Sequence, residues 1–200
     1  MVHIKKEQIK SVFYNIVSLT VVLILWTLFS WWQNSPFFPS PRAIWVAFVD
    51  LLSKGDVEGI SIGTHIWNSV LRIFAGFSAA CILGIPLGLL MGLYPKLYNR
   101  TRAVMEPVRF IPPIAWIPLA IVLLVGFSRY AFLIWLGAFF PVFITTLFSV
   151  TRVNPLHVNV VKVFGAPRLY IIRKIVIPSV LPDIATGMRV GLGSAWMCIV

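Results

Sequence analysis

Five apolar runs set the terms for this chain. They lie at residues 11–32, 66–94, 110–126, 130–150 and 184–200. A helix needs about 20 apolar residues to cross a bilayer, and four or five such runs leave no room in 200 residues for a further soluble domain of useful size. Composition agrees, since 59% of the residues are hydrophobic and 12% charged, against about 45–50% and about 25% in soluble domains. The expected class is an all-α integral membrane protein, with residues 1–200 forming one transmembrane domain.

Turn or charge signals follow each of the first four runs: Pro36 to Pro41, Pro95-Lys96, Gly126-Phe-Ser-Arg129 and Thr151-Arg-Val-Asn-Pro155. Residues 41–60 read as a partly amphipathic surface helix and then a polar loop. Lys5, Lys6 and Lys10 precede the first run as in a signal peptide. That run, however, is 22 residues long and ends in Trp31-Trp32 with no small-residue cleavage site, so it reads as a retained first span. The last run stops at Val200 with no flanking charge or interfacial anchor. Two expectations follow from that end, a C-terminally truncated chain or an end stabilised by a partner, and the first is favoured.

The net charge of +11 suggests nucleic acid or the cytoplasmic face of a membrane, and the position of the cations decides between them. With the N-terminus in the cytoplasm, Lys5, Lys6, Lys10, Lys96, Arg100, Arg102, Arg109, Arg152, Lys162, Arg168, Arg173 and Lys174 all fall inside, and only Arg42, Lys54 and Arg129 outside. Cytoplasmic segments are enriched in Lys and Arg, so topology accounts for the charge and no nucleic-acid partner is expected. The chain is placed in the cell membrane, multi-pass.

All six carboxylates and all three histidines lie outside the runs or at their edges. Proton-coupled carriers and intramembrane hydrolases place ionisable groups at membrane depth. There is no G-x-x-x-x-G-K-[ST] phosphate loop, and Cys81 and Cys198 have no metal or redox spacing. No catalytic residue, cofactor or metal site is therefore expected. Solute movement needs another subunit for its energy, unless the protein is a passive channel or a membrane scaffold. Two arginines, Arg72 and Arg189, do lie within runs. They read either as snorkelling or helix-packing residues or as positive groups on the path of an anionic solute.

Gly76, Ala80, Gly84, Gly88 and Gly92 recur every four residues in the second run, a spacing that lets a second helix approach closely. Pro86 and Pro141 predict local kinks. Between residues 107 and 118 the prolines, with Pro112 and Pro113 adjacent and Trp116 beyond, are too dense for a regular helix. Irregular backbone at membrane depth must be covered by protein or water, so this stretch reads either as the lining of a cavity or as a kinked helix start.

Residues 151–182 form the longest inner loop. Leu156, Val160, Val161 and Phe164 make an apolar stripe at helical spacing; Gly165 reads as its C-cap and Pro167 as the start of a second, basic helix that Pro178 and Pro182 break before the fifth run. Such a helix suits a groove on a partner protein or the lipid headgroups.

At these residues the sequence resembles the permease subunits of ABC importers, in the nitrate, sulfonate and taurine branch. The family's loop carries Glu-Ala-Ala, three residues, Gly, nine residues and then I-x-L-P. Gly165 is followed at that interval by Ile175-Val176-Ile177-Pro178, whereas Asn159-Val160-Val161 stands in place of Glu-Ala-Ala. The substitution removes the glutamate of a salt bridge to the ATPase. Phe38-Pro39-Ser40-Pro41, the block from Asn68 to Phe77, Gly84-Ile-Pro86-Leu-Gly88, the block from Glu106 to Leu119, Gly137-Ala-Phe-Phe-Pro141 and the block from Gly187 to Trp196 are also similar, in family order.

The resemblance implies a type I ABC importer permease fold of six spans, about five of them present here. It implies a second permease copy, cytoplasmic ATP-binding subunits that hydrolyse the ATP, and an external solute-binding protein, with a small anion such as nitrate, taurine, another sulfonate or bicarbonate as solute. It places ATPase coupling at Asn159, Val160, Val161, Phe164, Gly165, Ile175, Ile177 and Pro178, in a coupling loop of residues 151–182. Helix packing falls to the Gly76 to Gly92 row. The candidate translocation path is Arg72, Pro112, Pro113, Trp116 and Arg189.

Overall fold

A computed structural model describes residues 2–199 of the chain. Met1, Val200 and the side chains of residues 2–9, among them Lys5 and Lys6 of the basic N-terminal cluster, lie outside the described residues. The chain divides into two units, residues 1–66 and 67–200.

In the first unit, α1 (Val2–Gln33) and α2 (Pro41–Lys54) are joined by a proline-rich turn. From Lys10 on, α1 is exposed almost throughout, as expected of an apolar helix whose solvent is lipid. Its end is held by Ser30, whose hydroxyl donates to the Phe38 carbonyl at 2.8 Å, and by Phe29, whose ring meets Phe38 edge-on at 5.0 Å. Ser40 caps α2 by accepting from the Ala43 N–H, and Pro41 occupies the first turn, where a missing N–H costs nothing. After α2 the chain turns around Asp56. Its carboxylate accepts from the backbone N–H of Ile60 at 2.8 Å and of Glu58 at 2.9 Å, and lies 2.8 Å from His65 Nε2. The Ile60 N–H, with the His65 and Glu58 contacts behind it, holds the Asp56 carboxyl below the usual carboxylate range.

The second unit is built on helices α3 (Ile62–Leu93), α6 (Phe127–Thr151) and α8 (Arg168–Met197). All four small residues of the α3 row that are glycine face α6. A Cβ on Gly76 would lie 2.7 Å from the Ala131 carbonyl, on Gly84 3.3 Å from Val142, on Gly88 2.7 Å from the Phe143 carbonyl, and on Gly92 2.6 Å from Val150. Ala80, in the same row, is fully buried. The partners on α6 advance in step with the glycines, so α3 and α6 run parallel.

The other side of α6 meets α8, whose own row of small residues, Gly187, Gly191 and Ala195, is buried. A Cβ on Gly187 would lie 2.9 Å from Thr145 and on Gly191 2.8 Å from Val142. Here the partners run in opposite order, and α6 and α8 are antiparallel. Enclosed on two sides, α6 is buried at Ile134, Ala138, Val142, Phe143 and Leu147. Its buried hydroxyls, Thr146 and Ser149, donate to carbonyls of their own helix, those of Val142 and Thr146.

Because α3 and α6 are parallel neighbours, residues 94–126 must carry the chain from one end of the pair to the other. They do so through α4 (Pro95–Phe110), a 3-10 turn at Pro113–Trp116 and α5 (Ile117–Leu123), with a 93° bend between the two arms. The third apolar run, residues 110–126, is thus no regular helix. Pro112 and Pro113 remove consecutive N–H donors, and the prolines favour extended backbone just before them. The basic residues expected in an open inner loop instead ride on α4, where Arg102 pairs with Glu106 at 2.7 Å. With α1, α3, α6 and α8, the described residues hold four helices long and apolar enough to cross a membrane, or five if the bent pair is one span.

One expectation is overturned. Pro178 and Pro182 do not break the helix ahead of the fifth run, and α8 continues from Arg168 to Met197 through both. A π-turn at Ile172–Val176 precedes Pro178, and the Ile177 N–H bonds to the Ile172 carbonyl five residues back. The wider turn relieves the clash of a proline ring with the preceding turn. Beyond it, the Ser179 and Thr186 hydroxyls donate to the Ile175 carbonyl at 2.6 Å and the Pro182 carbonyl at 3.0 Å.

Two outcomes test these contacts. Gly88→Leu drives a side chain into the α6 backbone, and the overpacking should cost about 1–3 kcal/mol, read as a lower unfolding midpoint in detergent. The Asp56 turn has the sign of a depressed carboxylate. Its stabilisation is complete above the unfolded value of about 4 and disappears as pH falls through the lower folded value. The protection of the Glu58 and Ile60 amides, corrected for the intrinsic pH dependence of exchange, should therefore fall below about pH 4 and stay flat between pH 5 and 8.

Candidate functional site

The loop residues gather around α7 (Pro155–Val163). Asn154 caps its start, accepting from the Leu156 N–H at 2.9 Å, with Pro155 in the first turn. Its end is a Schellman turn: the Gly165 N–H bonds the Lys162 carbonyl at 2.9 Å and the Ala166 N–H reaches back to Val161 at 3.3 Å. Gly165 takes φ +73°, and a Cβ there would meet nothing within 4 Å. Glycine is required by the backbone conformation at this position, since the surrounding space is open.

The apolar side chains of α7 fall on two faces. Val158 and Val161 pack with Ala166 and Ile175 against a cluster of Val150, Ile171, Val176, Val180 and Ile184. Leu156, Val160, Val163 and Phe164 point away from it and are exposed, the last two at 85%, and Asn159 shares their exposure. The helix therefore has one apolar face spent on its own chain and a second that nothing in the chain covers. Ile177 is half-buried and Pro178 exposed, both beyond the π-turn on α8. Thus α7 is fastened, through Gly165 and the Ile171 cluster, to the root of a membrane-spanning helix.

Cations edge this region. The Arg168 guanidinium lies 4.7 Å from the centre of the Tyr94 ring. Between α7 and the ends of α3 and α6 is a cavity of about 690 Å³, whose lining includes Gly92, Val150, Asn159, Lys162 and Arg168.

The candidate path residues fall in three places. Pro113, with Arg109, Phe110, Gly137 and Pro141, lines a cavity of about 600 Å³ at the α4 to α5 break. Pro112 and Pro113 border a second, of about 420 Å³, with Arg129 and Tyr130. Trp116 is half-buried, its indole N–H enclosed without a hydrogen-bond partner. Arg72 lies over the Tyr130 ring, 4.2 Å from its centre, near the start of α6. Arg189 is exposed on α8 between Gly187 and Gly191, far along the helix from the Arg72 level.

Sequence reasoning missed three of these features. The Gly187, Gly191 and Ala195 row carried the same four-residue signal as the α3 row. The Tyr130 and Tyr94 platforms under Arg72 and Arg168 had none, because ring and guanidinium are far apart in sequence. The π-turn had only Pro178 as its sign.

Comparison with known proteins places this architecture. Residues 84–200 match the model of the family described as binding-protein-dependent transport system inner membrane component. A putative ABC transporter permease of Methanocaldococcus jannaschii is 34% identical over 98% of this chain and 73% of its own length. The taurine transport system permease of Escherichia coli is 30% identical over 96% of the chain and 70% of its own. The nitrate import permease of a Synechocystis strain is 31% identical over 92% and 68%. A family match over more than half the chain, with relatives aligned along nearly all of it, identifies an all-helical, multi-pass ABC permease: the chain belongs to the binding-protein-dependent transport system inner membrane component family.

Proposed function

We propose that the protein is the permease of an ATP-driven importer for a small anionic solute of the nitrate, taurine, sulfonate or bicarbonate kind, and that it couples to its ATPase through α7. The observation that carries this reading is the second apolar face of α7, Leu156, Val160, Val163 and Phe164, exposed on a helix whose other face is fixed to the foot of α8. The similarity to taurine and nitrate permeases supports the solute class. A passive channel or scaffold would leave the likeness to ABC permeases unexplained.

In this reading the N-terminus is cytoplasmic, as the distribution of Lys and Arg favours. ATP is hydrolysed on separate subunits, an external binding protein delivers solute, and two copies of this chain pair in the lipid bilayer. Asn159, Val160, Val161, Phe164 and Gly165 form the docking segment. Ile175, Ile177 and Pro178 relay its displacement into α8. A movement couples to ATP only if α7 contacts the two ATPase states differently. Its apolar knobs supply that contact with no ion pair at position 159, where the side chain is Asn. The Gly76, Ala80, Gly84, Gly88 and Gly92 row keeps α3 and α6 moving as one body. The path runs past the Pro112, Pro113 and Trp116 break and the two arginines, Arg72 and Arg189.

Gly165→Val forces a β-branched residue to positive φ, at a cost of about 1–2 kcal/mol, and should abolish ATP-driven uptake while membrane insertion is retained. Gly165→Asn, which tolerates that conformation, should keep a substantial part. Wild-type uptake by the valine variant would refute coupling through this turn. In mild detergent the intact protein should co-purify with an ATP-binding subunit; its absence would favour a channel or scaffold.

A further inference from the structure

One cation that the charge count assigns to the inner loops does not stay at the membrane face. Arg109 is the last basic residue of α4, about 20 Å along that helix from Pro95, which starts beside the ends of α3 and α6. It lines the cavity of about 600 Å³ together with Leu136, Gly137, Phe140, Pro141 and Ile144 of α6. Along α6, Pro141 is about 20 Å from Phe127 and about 15 Å from Thr151. The cavity and its guanidinium therefore lie close to the middle of a hydrocarbon core about 30 Å thick.

At that depth a cation faces a cavity or a partner, and Arg109 has only the cavity. It is half-buried, and among the described residues it makes no hydrogen bond or ion pair. Glu106, one turn back on α4, is taken by Arg102 at 2.7 Å and by the Tyr98 hydroxyl at 3.4 Å. The centre of the Phe110 ring lies 4.7 Å from the guanidinium carbon. That contact engages the flat face of the group and leaves its five N–H donors unspent.

Helix α8 brings a second free donor to the same cavity. Thr146, Ser149, Ser179 and Thr186 spend their hydroxyls on carbonyls of their own helices. The Ser194 hydroxyl makes no hydrogen bond among the described residues, and Ser194 lines the cavity. Apart from these two donors and Cys198, the lining is apolar. Walls of low dielectric around charge of one sign focus its field on whatever enters, and the volume falls within the about 300–1,000 Å³ of small-molecule sites.

We propose that Arg109 and Ser194 form the membrane-depth binding site for the oxyanion group of the solute. The guanidinium fork takes two oxygens, and the Ser194 hydroxyl donates to a third. This deepens the anionic-solute reading above and rests on it. Nitrate, bicarbonate and a sulfonate head each present three oxygens on one centre, and a planar fork matches such oxygens two at a time. The site thus reads the charged head of the solute and leaves its remainder to the apolar walls.

The test uses the whole importer, with its ATPase, both permease copies and binding protein, in proteoliposomes, and labelled nitrate, bicarbonate and taurine as probes. Arg109→Gln should lower uptake of the transported anion about tenfold or more. Arg109→Lys, which keeps the charge and loses the fork, should restore part of it, and Ser194→Ala should lower uptake by a smaller factor. Cys198, on the same cavity, is a native reporter whose labelling is read by mass on its own peptide. With each rate corrected for reaction with a free thiol, a sulfonate-bearing methanethiosulfonate should label wild-type Cys198 about tenfold faster than the trimethylammonium reagent. Excess transported anion should slow that labelling, and Arg109→Gln should remove the preference. Equal uptake by the wild type and Arg109→Gln refutes the site and leaves the function standing. Equal corrected rates for the two reagents in the wild type also refute it, with no variant required to assemble. If the wild type carries no anion and moves a neutral or cationic solute, the anionic reading itself fails and takes the site with it.

Discussion

The structure depends on how closely three backbones can approach in a solvent that gives them no hydrophobic reason to do so. Lipid tails are as apolar as leucine, so helices in a membrane are held by contact and by what side chains can hydrogen-bond. Helix α6 obtains that contact from two rows of small residues, Gly76 to Gly92 on α3 and Gly187 to Ala195 on α8. Its own side chains fill the grooves these rows leave, with Phe139 and Phe143 stacked 5.6 Å apart along it. The parallel arrangement of α3 and α6 then dictates the rest, since the chain between them has to return, and it returns through the bent α4 to α5 segment.

Much of this was legible in the sequence. The apolar runs located the spanning helices, and the four-residue spacing of small side chains marked the packed face of α3. Gly165 between an apolar stripe and Pro167 marked the end of α7 and its turn. The less legible parts share a physical cause. Proline density announced that residues 107–118 were irregular, but whether such a segment kinks, loops or folds back by 93° depends on neighbours that periodicity does not reveal. Pro178 and Pro182 suggested a helix break because propensity counts a lost N–H and a ring clash. A π-turn ahead of Pro178 accommodates the ring, and it cannot be read from the prolines themselves. The apolar stripe of α7 was visible as a stripe, yet its division into an inward and an outward face required the position of α8.

The division gives α7 its meaning. A helix held only by partners outside the chain would be disordered before assembly, and a helix buried entirely within it could touch nothing else. With Val158 and Val161 inward and Leu156, Val160, Val163 and Phe164 outward, α7 is pre-ordered and still free to bind. Little conformational entropy is then lost when a partner docks.

The opposite directions of the two neighbours of α6 make its two sides unequal electrostatically. Each helix carries about half a positive charge at its N-terminus and half a negative one at its C-terminus. Against parallel α3 the two C-termini meet at one level, with Gly92 against Val150, and like ends repel, whereas α8 starts well beyond the end of α6 and its N-terminus does not face it. The α3 side therefore has contact alone to hold it against that repulsion, and it is there that the row of small residues is longer, with four glycines where α8 has two.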